Sequence, residues 1–282
     1  YPSDNITVRN CEVYRAHDYT RGGASSANGY GIFLLGSTNS TIDSCYVSEC
    51  AVGVYSRLYT YAPDPNFRSD CTIKNCTLVD NAPQHCKYFG LGVYAYGHPG
   101  LKVLNCDISG DHRIGIWIGE GRTSDLRYMV DGCRINGAYS NGIHLAGSAS
   151  YSWITNNIVY ECGSMGIAFG PSAIVTGNIV FDNGSNADSL QTYTGESGGA
   201  GIYAYGGVAG TQISDNLAYD TGVGYQKFGL IAVHTDAHSI NIGKNNFTGC
   251  EVPYRLRRAD VEDRLVANLS TTTGENNTKY IV

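Results

Sequence analysis

A β-branched residue, then Cys or Asn three positions on, then an apolar residue two further, recurs nine times along the chain. The β-branched members are Val8, Ile42, Ile73, Val103, Val130, Ile154, Val175, Ile213 and Ile242. The Cys/Asn members are Cys11, Cys45, Cys76, Cys106, Cys133, Asn157, Asn178, Asn216 and Asn245. The apolar members are Val13, Val47, Leu78, Ile108, Ile135, Val159, Val180, Ala218 and Phe247. The period runs from 21 to 38 residues, a repeat size that means stacked units, each burying its apolar edge on its neighbours. Each unit also carries a glycine followed by alternation, as in Gly31-Ile-Phe-Leu-Leu, Gly92-Val-Tyr-Ala-Tyr, Gly115-Ile-Trp-Ile, Gly142-Ile-His-Leu and Gly201-Ile-Tyr-Ala-Tyr. Period-two alternation predicts strands, so a unit reads strand, sharp turn, strand, turn, strand. No unit holds a convincing helical stretch. Helical and leucine-rich solenoids are therefore excluded, leaving an all-β parallel β-helix of about nine rungs.

The repeat spans nearly all 282 residues, which predicts one elongated domain over residues 1–258 and a C-terminal cap or tail over 259–282. Ala259–Asn268 has the composition of a short capping helix, and Ser270–Asn277 reads as a polar loop or arm. The chain enters its first rung almost at once. An uncapped end exposes strand edges, so either preceding residues are missing or another subunit covers this end. Seven prolines and 16% charged residues argue against disorder. A net charge of −6 argues against nucleic acid as a partner. No apolar run approaches the ~20 residues of a membrane span, and no signal peptide is recognisable.

Ten cysteines suggest an oxidising compartment. Five fall in the ladder position and Cys50, Cys162 and Cys250 in a second column five residues later, which Asn81, Asp111 and Asn183 share. Stacked thiols and disulfides between adjacent rungs are both open, and Cys71 and Cys86 could pair across the third rung. No Cys-x-x-Cys or Cys/His set is present, so no metal site is expected. Asn-x-Ser/Thr sequons begin at Asn5, Asn39, Asn75, Asn183, Asn246, Asn268 and Asn276. Together these features predict a secreted or cell-surface protein.

The Ile-x-x-Asn/Cys-x-Val and Gly-Ile-x-Ile motifs, over about residues 5 to 258, resemble those of right-handed parallel β-helix proteins of the pectate-lyase-like superfamily. The resemblance implies a single-stranded right-handed parallel β-helix with inserted loops, and an asparagine ladder at the Cys/Asn position. It does not imply one activity, because this fold hosts lyases, hydrolases, epimerases, phage spikes and structural proteins.

Function is expected where the period stretches. The distance from the Cys/Asn position to the next strand glycine is eight or nine residues in tight rungs, but 20 before Gly31, 16 before Gly92, 23 before Gly201 and 13 before Gly229. A further insertion, Arg57 to Asp70, follows the Gly53 strand. Long loops beside one face of a rigid scaffold usually carry function. On that face the outward positions read Phe33, Tyr55, Tyr94, Trp117, His144, Ala168, Tyr203, Ile231, Arg255, and beside them Leu35, Arg57, Tyr96, Gly119, Ala146, Gly170, Tyr205, Val233, Arg257. This aromatic strip either binds a polysaccharide through Phe33, Tyr55, Arg57, Tyr94, Tyr96, Trp117, Tyr203 and Tyr205, or forms a satellite core under the inserted loops.

Asp111, His112, Arg113 and Glu120 flank the Trp117 strand, with His144 on the next rung and His85, Lys87 and His98 nearby. Gly110-Asp-His-Arg-Ile-Gly-Ile-Trp-Ile-Gly loosely resembles the acid- and His-bearing region of polygalacturonase-like members, but their paired Asp-Asp element is absent. Two chemistries stay open. Asp111 and Glu120 as an acid pair would suit glycoside hydrolysis at a separation of about 5 to 9.5 Å. His112 or His144 as base, with Arg113 or Arg57 on a uronate carboxylate, would suit β-elimination or epimerisation. Glu196, His234, Asp236, Arg255 and Arg257 form a second candidate set. No cofactor is expected, with calcium left open. The competing expectation is a structural or adhesive subunit of a filament, sheath or spike, a homo-oligomer stacking end to end through its rungs.

Overall fold

The computed structural model describes residues 4–16, 29–57, 69–81, 90–119, 127–146, 151–186, 199–205, 210–233, 240–257 and 280–281. These residues form a parallel β-helix of three sheets, with nine, eight and ten strands. Each strand pairs in parallel with its counterpart one rung away.

The repeat is the register. In the first sheet the nine β-branched residues stand in single file from Val8 to Ile242. In the second, Val13, Val47, Leu78, Ile108, Ile135, Val159, Val180 and Ala218 do the same. The third sheet comprises Tyr30–Leu35, Val52–Arg57, Leu91–Tyr96, Ile114–Gly119, Ile143–Leu145, Met165–Phe169, Ala200–Tyr205, Phe228–Val233, Val252–Arg257 and Tyr280–Ile281. Its inward file is Ile32, Val54, Val93, Ile116, Ile143, Ile167, Ile202, Leu230 and Tyr254. The three files meet in one continuous core, whose burial is the main stabilising term. The capping helix expected over Ala259–Asn268 lies outside the described residues.

Close packing of rungs explains the recurring glycine. A Cβ on Gly53 would stand 2.6 Å from the carbonyl oxygen of Gly92, one on Gly115 2.7 Å from that of Gly142, and one on Gly166 2.8 Å from that of Gly201. The glycines thus form a ladder in which each admits the backbone of the next rung. Alternation breaks there: Val52, Leu91 and Ile114, which precede glycines, pack with the outward aromatics rather than with the core.

The turn between the first two sheets carries the asparagine ladder. Asn178 accepts the backbone N–H of Asn157 at 3.0 Å and donates to Ile154 O at 2.9 Å, Thr176 O at 3.2 Å and Asn216 Oδ1 at 2.9 Å. Sulfur continues the pattern. Cys106 Sγ reaches Ile73 O at 3.9 Å and Leu104 O at 3.4 Å, the equivalent carbonyls. Cys45, Cys76 and Cys133 do likewise. A thiol is thus a weak copy of the amide, with one donor and one soft acceptor. All nine described cysteines are free thiols, Cys71 among them, and only Cys11 is exposed. Cys86 lies outside the described residues. No disulfide joins the described cysteines, so the stacked-thiol alternative holds there.

The second corner column differs from its expected membership. His112, not Asp111, fills the fourth rung: its side chain is buried, with Nε2 2.9 Å from Ser109 O, while Asp111 is exposed. The chain bulges outward at Asp111, so His112 rather than Asp111 stands beside Ala138 of the next rung. Asn183 does belong to the column and is fully buried, its amide committed to Val159 O, Phe181 O and Gln226 Oε1. A glycan cannot be attached there, which removes Asn183 from the acceptor sequons. Asn5, Asn39, Asn75 and Asn246 are exposed, and Asn268 and Asn276 lie outside the described residues.

Candidate functional site

The third sheet places the expected strip on its outer face, in the expected order. Phe33, Tyr55, Tyr94 and Trp117 pair rung to rung. Their rings stack with centroids 4.9, 4.8 and 4.9 Å apart and interplanar angles of 4°, 6° and 15°. That separation is the strand spacing itself. The stacking has a chemical consequence: each inner ring spends its faces on its neighbours. What remains for a ligand is ring edges, the tyrosine hydroxyls, and the exposed Phe33 and Leu35 at one end.

The strip is also partly covered. Tyr55 and Tyr203 are buried, whereas Tyr94, Tyr96, Trp117, His144 and Tyr205 are partly exposed and Arg57 is fully exposed. Two satellite clusters lie on this face, one around Tyr55, Leu91 and Ile114 and one around Ala168, Tyr203, Phe228 and Ile231. The satellite-core expectation therefore describes the buried part of the strip, and the rest of it is open to solvent. Burial pushes the Tyr94 hydroxyl up to about 12, so it stays protonated as a donor at neutral pH.

His144 closes the aromatic stack edge-on to Trp117, centroids 6.4 Å apart at 74°. Its ring is held at both nitrogens. Tyr205 Oη donates to Leu145 O at 2.5 Å and lies 2.9 Å from His144 Nε2, while Asn141 Nδ2 lies 2.8 Å from His144 Nδ1. Tyr205 has one proton and spends it on Leu145, so His144 Nε2–H donates to Tyr205 and Nδ1 accepts from Asn141. Burial, with the nearby Arg113 charge, lowers the His144 pKa to about 4. His144 is a neutral, fully engaged hydrogen-bonding post.

The other candidates are dispersed. His112 is buried at the corner, and desolvation lowers its pKa to about 4. His98 is turned inward, its Nδ1 2.7 Å from buried Ser56 Oγ. Asp111 stands exposed, its backbone N–H on Asp80 Oδ1 at 2.9 Å. Glu120, His85, Lys87, Glu196, His234 and Asp236 lie outside the described residues, as does the side chain of Arg257. Among the described residues no group of three or more His, Cys, Asp or Glu could hold a metal ion, and no helix is long and apolar enough to cross a membrane.

Charge is distributed unevenly. The chain has 25 acidic and 19 basic residues. Yet the strands of the third sheet contain Arg57, Arg255 and Arg257 and no Asp or Glu. The Arg57 guanidinium lies 5.9 Å from the Tyr96 ring centre, and that of Arg255 5.9 Å from Phe228. Among the described residues the acids sit instead on the corners and on the other two sheets, as Asp43, Asp80, Asp107, Asp131 and Glu161 do.

The model of the right-handed β-helix region matches residues 1–127 and 91–278. The chain belongs to this β-helix family. No curated protein matches its sequence significantly. Among solved structures, this β-helix is similar to the Dettilon tailspike protein, at 18% identity and a TM-score of 0.62 over 90% of this chain and 50% of that one. It is similar to a mannuronic acid specific polysaccharide family 6 lyase from human gut microbiota, at 14% identity and a TM-score of 0.61 over 99% of this chain and 66% of that one. PfbA, a surface adhesin of Streptococcus pneumoniae, matches at 9% identity and a TM-score of 0.59 over 100% of this chain and 72% of that one. The β-helix thus spans about half the length of the tailspike chain. At these identities the likeness is one of fold.

Proposed function

We propose that this β-helix is an extracellular protein that binds an anionic polysaccharide along the outward face of its third sheet. The observation that carries the reading is the charge pattern: a sheet with arginines and no carboxylate, on a chain of net charge −6. Guanidinium groups suit carboxylate or sulfate groups through paired N–H donors. The stacked aromatics between them give a straight, rigid edge bearing hydroxyls, along which a linear chain could lie. The tailspike, lyase and adhesin similarities support a role at a glycan-bearing surface. Cleavage or epimerisation has weaker support, because His144 has no free nitrogen and His112 is buried among the corner hydrogen bonds.

Affinity electrophoresis in gels containing polyuronate, sulfated glycan or neutral dextran tests this reading. Retardation by the charged polymers, weakening with ionic strength and lost in Arg57→Ala/Tyr96→Ala, is expected. Equal retardation by dextran, or no retardation by any polymer, would overturn it.

The structural or adhesive reading has one observation in its favour. Tyr160, Phe181 and Tyr219 stack on the outer face of the second sheet, centroids 4.9 and 5.0 Å apart, beside exposed Ile158 and Ile179. That reading requires self-association as concentration rises, which light scattering would detect.

A further inference from the structure

A separate pocket lies at the corner where the second sheet turns into the third, in the last two rungs. It arises from a change in the corner column. In earlier rungs a residue five positions after the ladder Cys or Asn fills this corner, as Cys50, Asn81, Cys162 and Asn183 do. After Asn216 the place is taken by Gln226, ten positions on. Gln226 Nε2 reaches Val180 O at 3.2 Å and Cys250 Sγ at 3.6 Å, and its Oε1 accepts from Asn183 Nδ2 at 2.9 Å. The additional residues 221–225 loop outward and are exposed.

The excursion is held in shape from within. The Asp220 carboxylate accepts the N–H groups of Gly222, Gly224 and Gln226 at 2.7, 2.9 and 2.9 Å. Thr221 is tied to Asp182 by its N–H and its hydroxyl, each at 2.7 Å. Beside this loop lies an open surface pocket of about 430 Å³, within the range of roughly 300–1,000 Å³ in which small molecules bind.

We propose that this corner pocket binds one uncharged sugar residue through its hydroxyl groups. One side offers the Lys227 ammonium as donor, 3.7 Å from the Glu251 carboxylate as acceptor, a paired arrangement suited to adjacent hydroxyls. The Thr248 hydroxyl donates to Asn246 Oδ1 at 2.7 Å, leaving its oxygen free to accept. Gly224, Gly249 and Pro253 complete the lining, with Phe247 fully buried in the core beside it. Two carboxylates against one ammonium disfavour an anionic ligand. A divalent cation, which takes six or more oxygens, would find too few here. The site thus carries more acid than base and lies many rungs from Arg57.

Saturation-transfer NMR with a panel of neutral methyl glycosides and N-acetylhexosamines tests the proposal on the full chain. At least one sugar should give signals that saturate. Affinity should fall about tenfold or more in Glu251→Ala, which removes a charged hydrogen-bond partner from an exposed side chain, and in Thr248→Trp, which fills the pocket. Arg57→Ala should leave it unchanged. Absence of signal across the panel overturns the proposal, as does binding that survives Glu251→Ala and Thr248→Trp in folded protein. Failure here leaves the polyuronate result of Arg57→Ala/Tyr96→Ala unaffected, so the two sites are judged separately.

Discussion

Tyr205 Oη lies 2.9 Å from His144 Nε2, although 61 residues and one intervening rung separate them. The intervening outward residue is Ala168, whose methyl leaves room for the tyrosine to lean across it. The contact sets the tautomer of His144 and joins the two halves of the outward strip. Tyr205→Phe removes the acceptor of a half-buried imidazole N–H and the donor to Leu145 O. A loss of about 1–3 kcal/mol is expected, read by chemical denaturation. Heteronuclear NMR of the wild type should show the neutral Nε2–H form of His144 at pH 7, and exchange to the other tautomer would contradict the assigned hydrogen bonds.

Acid sensitivity follows from three desolvated imidazoles, two buried and one half-buried. His98, His112 and His144 each have the folded pKa lowered to about 4, with desolvation the leading cause, against an ordinary value of 6.5. Between those values the unfolded chain binds protons that the folded chain refuses. Stability therefore rises with pH through this window, and the contribution is lost as pH falls from about 6.5 towards 4. Each histidine can contribute up to roughly 3 kcal/mol. Denaturation midpoints measured across this range should fall steeply on acidification. His112→Asn, which installs the residue found at Asn81 and Asn183, should fold and flatten that slope. An unchanged slope would remove His112 from the acid response.

The amide ladder and the thiol ladder should differ in strength. Asn178→Ala strips hydrogen bonds from Asn157, Asn216 and two carbonyls together. A cost of about 2–4 kcal/mol is expected, because buried partners are left unsatisfied. Cys106→Ala loses only sulfur contacts and a small volume, and should cost about half as much. Equal losses in urea melts would show that the thiols carry as much hydrogen-bond energy as the amides.

Thiol reactivity should report the column directly. Cys11 is exposed, whereas Cys45, Cys50, Cys71, Cys76, Cys106, Cys133 and Cys162 are buried, and burial is among the causes raising Cys50, Cys76 and Cys162. Under native conditions Cys11 should react promptly with a chromogenic disulfide, while these buried thiols wait for unfolding. Mass mapping that finds Cys76 or Cys106 modified in folded protein would contradict the closed core.

The glycine ladder predicts a sharp intolerance. Gly115→Ala would press a methyl against the Gly142 carbonyl, which is backbone and cannot yield cheaply. A loss above about 2 kcal/mol is expected from the steric clash; at Gly222 nothing lies within 4 Å, and an alanine there would meet only the strain of a φ of 105°, about 1–3 kcal/mol. Comparable thermal melts for Gly115→Ala and wild type would contradict the packing.

The nine-fold motif was sufficient for the architecture. Rung number, register, the three inward files and the order of the outward strip were all legible, because side-chain period and strand pairing are local rules repeated nine times. Corners were legible only in part. The five-residue spacing selects Asp111 for the corner, and only the path of the chain put His112 in the interior instead. Likewise the 13-residue spacing before Gly229 announces an insertion, but only the chain path shows that Gln226 fills the corner column after five residues loop out. The tertiary structure alone decided that the aromatic rings spend their faces on one another, that His98 points inward, and that His144 has no nitrogen to spare. Those outcomes depend on distances between residues far apart in the chain, set by how rungs stack and where the loops leave them. The repeat gives each residue its place on a rung, while burial and partners, and so the chemistry each can perform, come from its neighbours on other rungs.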